Sequence, residues 1–198
     1  MTPEKLRELY GAPHTLAAAK VISTFDHHCR QFIEHSTFLL LATSDGENLD
    51  VSPKGDPAGF VTVESDTTLL LPDRPGNNRI DSLLNILAHP KVALVFMIPS
   101  VTETLRVNGT AEISDDPALC DQFQVNGRSP KTVVRITADE IYTHCGKAPL
   151  RSGLWKPETW PVERPVPTLF DILKDHTAMP VENTDQEAVD EVYARSMY

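Results

Sequence analysis

The hydrophobic period changes several times along the chain, and each change marks an element. Over the first 35 residues the apolar positions fall at helical spacing. Leu6, Leu9 and Tyr10 form a short set before Gly11 and Pro13. Phe25, Cys29, Phe32 and Ile33 predict a helix from about Phe25 to Glu34. The pattern then shortens. Thr37 to Thr43 is a compact apolar run, Ser44-Asp45-Gly46-Glu47 is a turn, and Leu49 to Pro53 returns as a second strand. Phe60–Val63 and Thr68–Pro72 predict another hairpin. A loop from Asp73 to Arg79 feeds a helix whose buried stripe is expected at Ile80, Leu83, Leu84 and Leu87, with His89-Pro90 ending it.

Val92 to Ile98 is continuously apolar, as in a strand buried on both faces, whereas Thr104 to Ile113 alternates, as in a half-buried one. Asp116-Pro117 opens a short helix to about Phe123. Val133–Thr137 and Glu140–Thr143 form the last strand region, and Lys147 to Trp155 a short helix. A proline-rich connector, Trp160 to Pro167, leads to two helices near Leu169–Asp175 and Thr184–Ser196, the second opened by a capping-box pattern at Thr184 and Glu187. Six or more strands in hairpins with inserted helices predict a mainly β fold of the closed antiparallel barrel type. No dinucleotide-binding glycine pattern and no Walker loop is present.

Composition narrows the function classes. A hydrophobic content of 40% suits a globular chain, and no apolar run approaches the roughly 18 residues of a membrane span. Met1 to Lys5 has no apolar stretch of the secretory type, so a cytoplasmic location without membrane association is expected. A net charge of −10 argues against broad nucleic-acid binding. Some of the acid lies in Glu182, Asp185, Glu187, Asp190 and Glu191, which read as a solvated helix face. Three cysteines, an odd and sparse set, argue against a disulfide framework. Adjacent residues such as His27-His28-Cys29 do not face one side of a helix, so no metal is expected there.

Two constellations could carry chemistry. In Pro72-Asp73-Arg74-Pro75-Gly76-Asn77-Asn78-Arg79 a strand ends, a loop follows, and a helix is expected to begin with Asn78 and Arg79 in its first turn. Free backbone N–H groups and the helix dipole favour an anion there, and Arg79 offers a fork that fits phosphate. An Asn-capped helix with a surface arginine explains the same residues. In His144-Cys145-Gly146-Lys147-Ala148-Pro149-Leu150-Arg151-Ser152-Gly153-Leu154-Trp155, Lys147 and Arg151 lie four apart on one helix face, which suits either an anion between them or a solvated basic surface. In an extended strand Cys145 and His144 point to opposite faces, which argues against cysteine nucleophile chemistry.

Taken in order, Ser52-Pro53-Lys54-Gly55-Asp56, Pro72 to Asn77, Leu105-Arg106-Val107-Asn108-Gly109 and His144 to Trp155 resemble the pyridoxamine 5′-phosphate oxidase-related flavoproteins over residues 25–160. Closest in kind is a bacterial subgroup of FMN-binding members whose substrate is unassigned. The resemblance implies a split β-barrel core at 25–160, a helical extension at 161–198, and a single domain overall. It also implies a two-fold homodimer with FMN at the subunit interface. Val51, Ser52, Pro53 and Lys54 would run along the flavin, Asn78 and Arg79 would bind its phosphate, and Thr104 would reach the flavin. The Lys147/Arg151 pair would complete the anion site, with the partner chain as one source, and Asp73, Arg74, Asn77, Arg106 and Trp155 are further cofactor-binding candidates. The sequence departs from the true oxidases. Their Ser-Arg-Lys phosphate signature is replaced by Asn77-Asn78-Arg79, and residues 161–198 lack their basic substrate-contacting ending. The expected function is therefore FMN-dependent oxidation or reduction of a small molecule other than a B6 vitamer, with no general acid or base assigned. A non-catalytic flavin carrier or sensor is the alternative, and haem or deazaflavin could replace FMN.

Overall fold

The computed structural model describes residues 1–177, 179 and 186–198. Two short helices, α1 (Pro3–Tyr10) and α2 (Thr15–Ala19), precede α3 (His27–His35). Asp26 caps α3 by accepting a hydrogen bond from the Cys29 N–H at 2.8 Å, and the helix buries Cys29 and Ile33. Seven strands follow: β1 (Phe38–Ser44), β2 (Leu49–Gly55), β3 (Thr62–Val63), β4 (Thr68–Pro72), β5 (Lys91–Met97), β6 (Thr104–Ser114) and β7 (Val133–His144). Helix α4 (Asp81–Ala88) lies between β4 and β5, and α5 (Pro117–Cys120) between β6 and β7. Helices α6 (Lys147–Ser152), α7 (Leu169–Thr177) and α8 (Gln186–Ser196) close the chain. Thr184, the expected cap of the last helix, lies outside the described residues. No described helix is long and apolar enough to cross a membrane.

The strands form one antiparallel sheet in the order β2-β1-β5-β6-β7-β4-β3, curled round the main apolar core and open between β2 and β3: a split β-barrel; a smaller cluster of Leu70, Leu119, Cys120, Phe123 and Val133 is buried separately. Register fixes the two faces. Leu41 pairs with Leu94, Leu94 with Val107, and Val107 with Ile141; all four are buried in the core. One residue along, Pro53, Leu40, Val95, Arg106 and Tyr142 form a row on the outer face. Strand β5 thus alternates between buried Val92, Leu94 and Phe96 and half-buried Ala93, Val95 and Met97. The expectation that it is buried on both faces is corrected. Its apolar outer residues meet other apolar residues across the register, not a covering layer.

Helix α4 brings a second correction. It begins at Asp81, not at Asn78 or Arg79, because Asn78 and Ile80 adopt left-handed backbone (φ 58° and 53°). Its buried face is Ser82 and Ile86 with Leu83 packed beside them, while Ile80, Leu84 and Leu87 are exposed. The helix presents its polar Ser82 inward because hydrogen-bond partners wait there on β2, and this turns the leucine stripe outward.

Candidate functional site

The first and second motif segments are physically joined. Strand β2 places Asp50, Ser52 and Lys54 on its inner side and Val51 and Pro53 on the outer one, as its alternating half-buried and exposed residues show. From the inner side, Lys54 donates to Asp73 at 3.0 Å. In the opposite direction Arg74 donates to Asp56 at 2.6 Å, with the two side chains 17% and 3% exposed, and also to the Phe123 carbonyl at 2.7 Å. Each segment thus gives the other one cation and one carboxylate. Below them, Ser82 Oγ lies within hydrogen-bond distance of Asp50 Oδ2 at 3.0 Å and of Ser52 Oγ at 2.8 Å, which ties the first turn of α4 to β2.

These residues border a cleft of about 960 Å³. Of the expected cofactor residues it collects Ser52, Lys54, Asp73, Arg74, Asn77, Asn78 and Arg79. The 77–80 loop is held open by its two left-handed residues. For a β-branched residue such as Ile80 that conformation carries strain, which persists where the surroundings impose it. No side chain caps α4, so its first-turn amides are available to a ligand. Asn77 Oδ1 accepts from the Arg79 N–H at 3.0 Å, and Arg79, 73% exposed, pairs with Asp81 at 2.7 Å. An exposed pair of this kind is weak, and Arg79 can turn to an incoming anion at little cost.

The other expected residues lie elsewhere. Val51 and Pro53 are on the outer face with Arg106. Thr104 pairs with His144 where β7 ends, and α6, which carries Lys147 and Arg151, follows three residues later. Trp155 donates its indole N–H to the Val101 carbonyl at 2.9 Å. Around Tyr142 this region gathers charge: Lys20 and Arg106 stand 5.8 and 5.9 Å from its ring. Burial, together with repulsion from Lys20 and Arg106, holds His144 below its ordinary range. Two groups of predicted residues thus occupy two faces of one chain.

Sequence reasoning missed part of the cleft. Arg128, Lys131 and Thr132 line it from the segment before β7, and Arg195, Ser196 and Tyr198 from the end of the chain. The tail reaches the cleft with a basic and an aromatic side chain, Arg195 and Tyr198. Tyr198 donates its hydroxyl to Asp56, and that hydrogen bond raises the phenol above its usual range. The thiol of Cys29 is pushed up to about 12, first by burial and then by Asp26, so it offers no thiolate.

The family model described as Pyridoxamine 5′-phosphate oxidase matches residues 25–145. No curated protein matches the chain in sequence. Among solved structures, a histidine-to-alanine variant of HupZ from Group A Streptococcus is similar with a TM-score of 0.50 at 20% identity, over 60% of this chain and 98% of that one. General Stress Protein 26 from Bacillus anthracis gives 0.46 at 19% identity over 57% and 88% of the two chains. An F420 reductase gives 0.42 at 19% identity over 57% and 94%. The likeness to the HupZ variant is one of fold.

Proposed function

The chain belongs to the pyridoxamine 5′-phosphate oxidase family, and from that premise we propose that it binds FMN in the cleft between β2 and α4 and acts as a cytoplasmic FMN-dependent oxidoreductase on a small molecule. The observation that carries this reading is the joining of the two motif segments around one cleft by the Lys54–Asp73 and Arg74–Asp56 pairs. The residues present fit a phosphate-bearing cofactor. Arg79 and the amides of the strained 77–80 loop would take the phosphate, and Lys54 and Ser52 would border the rest. Bound flavin supplies reversible electron transfer; the protein supplies position, charge and exclusion of water.

The division of the expected residues between two faces supports a homodimer. Thr104, Arg106, Lys147, Arg151 and Trp155 do not line this chain's cleft, but in a two-fold assembly they would face the partner's. The outer face offers apolar surface for such an interface: Phe38 and Val51 are 38% and 58% exposed, and Leu40, Val95 and Met97 are half-buried beside them. One observation favours a non-catalytic flavin carrier or sensor as the second reading. Lys54, Arg74 and Arg79 are each committed to a carboxylate, which leaves no evident acid or base among them.

Reconstitution with FMN and with riboflavin tests the proposal. The loaded protein should sediment as a dimer carrying one FMN per chain. The Arg79→Ala variant should bind FMN about ten- to a hundred-fold more weakly, with riboflavin little affected. Equal weakening of both ligands would remove Arg79 from the phosphate site. A loaded monomer would overturn the shared interface, and a chain that takes up no FMN would overturn the reading altogether.

A further inference from the structure

Two apolar faces of this chain are left uncovered by the other described residues. One belongs to the arm formed by α1 and α2, which lies ahead of residues 25–145 matched by the family model. Thr2 caps α1, Pro3 opens it, and Gly11 ends it at positive φ (68°), with its N–H bonded to the Arg7 carbonyl at 2.8 Å. Local signals thus commit these residues to a helix, yet neither α1 nor α2 buries a side chain. Leu6, Leu9, Tyr10 and Leu16 are all exposed. Helices this short do not hold themselves in water and persist where an apolar face is covered. The other face is on α4, where Leu84 and Leu87 lie three apart and are 53% and 73% exposed, with exposed Ile80 just ahead of them.

The arm is tied to the sheet just behind α2. Ile22 and Ile141 exchange both backbone hydrogen bonds, at 3.0 and 2.7 Å, on the edge of β7 that β4 leaves free beyond Thr137, and Lys20 donates to the Thr143 carbonyl. Both ties lie beside His144, at the end of the sheet that carries Thr104. In the two-fold assembly this region faces the partner's cleft. The arm therefore sets out towards a second copy, and α4 begins at the cleft, which Ile80, Asp81, Ser82 and Leu83 border. Charge agrees with that course. Lys5, Arg7 and Lys20 outnumber Glu4 and Glu8, so the arm is net positive on a chain of net charge −10, and Asp81 lies in the first turn of α4. The barrel's outer patch around Phe38 and Val51 includes neither the arm nor α4.

We propose that a second copy of this chain covers both faces by exchange of arms: each protomer lays the apolar side of α1 and α2, with Leu6, Leu9 and Leu16, on the exposed face of α4 in the other. One chain's arm then runs along the α4 rim of the other chain's cleft. The proposal rests on the two-fold assembly of the flavin reading and adds to it a contact outside the barrel. Sedimentation velocity over a dilution series of the full chain, as purified, tests it. L6Q/L9Q should raise the dimer dissociation constant about ten-fold or more, and L84Q/L87Q by a similar factor. All four together should exceed either pair by no more than about two-fold, because both pairs remove one contact. Circular dichroism at the same concentrations checks that each variant is folded. In a C145S background, L9C/L84C should form disulfide-linked dimers under mild oxidation. A disulfide within one chain, an unchanged dissociation constant for either pair, or effects of the two pairs that multiply would overturn the proposal. A dimer that takes up no FMN refutes the flavin reading while the same series still decides the arm. A wild-type chain that sediments as a monomer throughout overturns the arm together with the shared interface.

Discussion

Gly109, the last residue of the Leu105–Gly109 motif, is expected to matter for folding and not for the cofactor. It lies at a bulge. Asn108 pairs with Glu140 and Gly109 with Ala138, so Asp139 is left unpaired on β7. A Cβ added at Gly109 would stand 2.2 Å from the Thr137 carbonyl oxygen, 3.0 Å from its carbon and 3.2 Å from Ala138 Cα. Ordinary contact begins near 3.4 Å, so β7 would have to retreat by about 1.2 Å. All three obstacles are backbone atoms, and their strand is held on both sides. The Ala138 N–H donates to the Thr67 carbonyl at 2.8 Å, and the ladder pairs Thr110 with Thr137. No rotamer change relieves the clash.

Overpacking by one methyl group costs about 1–3 kcal/mol where neighbours can adjust, and a backbone obstacle puts Gly109→Ala at or above about 3 kcal/mol. At about 2–4 °C per kcal/mol for a chain of this size, its melting temperature should fall by roughly 6–12 °C. Thermal melts of the cofactor-free protein followed by circular dichroism measure this. Gly76→Ala is the control, since nothing lies within 4 Å of its Cβ and its φ is not left-handed; it should stay within about 0.5 kcal/mol of the wild type. A Gly109→Ala variant melting within 2 °C of the wild type would refute the reasoning.

Arg74→Met should destabilise the protein by about 3–5 kcal/mol, because among the described residues it strands the buried Asp56 carboxylate with only the Tyr198 hydroxyl as side-chain donor; Asp56→Asn made in the same background should recover part of that loss in chemical denaturation, and no recovery would mean that the arginine acts by packing alone. The folded state holds His144 below its ordinary 6.5, so the unfolded chain takes up the proton first and the cofactor-free protein should lose stability as pH falls through and below 6.5. His144→Gln should show a smaller loss between pH 7.5 and 5.5, and equal losses in the two proteins would show that the ring's surroundings do not govern its titration.

Much of the architecture was legible in the short apolar runs and in the alternation of apolar and polar residues, which together located β1, β2, β4, β5 and β6 to within a residue or two. The misreadings share one cause. Periodicity shows that an element has an apolar face but not that this face points inward. Helix α4 carries Leu84 and Leu87 outward because Ser82 finds Asp50 and Ser52 within, and β5 keeps Val95 and Met97 half-buried opposite Leu40 and Phe38. The same period, applied to the contiguous Val51-Ser52-Pro53-Lys54, would already have divided those four residues between two faces. Arg128, Arg195 and Tyr198 left no such trace. The Tyr198–Asp56 contact spans 142 positions, and no local pattern encodes a partner so far away.

The two motif segments that each read as weak on their own have a physical reason to occur together. Lys54 without Asp73 would leave a half-buried ammonium group beside the cleft, and Asp56 without Arg74 would leave a carboxylate that is 3% exposed with no cation. A chain that keeps one segment must keep the other, because removing one partner of such a pair costs more than the pair contributes. The 73–80 loop is then anchored at its base by Asp73 and Arg74 while its tip, Asn77 to Ile80, remains solvent-facing and strained. A fixed base and an open tip are what a loop needs in order to present backbone amides without reorganising when an anion arrives. Sequence order alone did not reveal the reciprocal ion pairs, which an ordinary helix cap does not require.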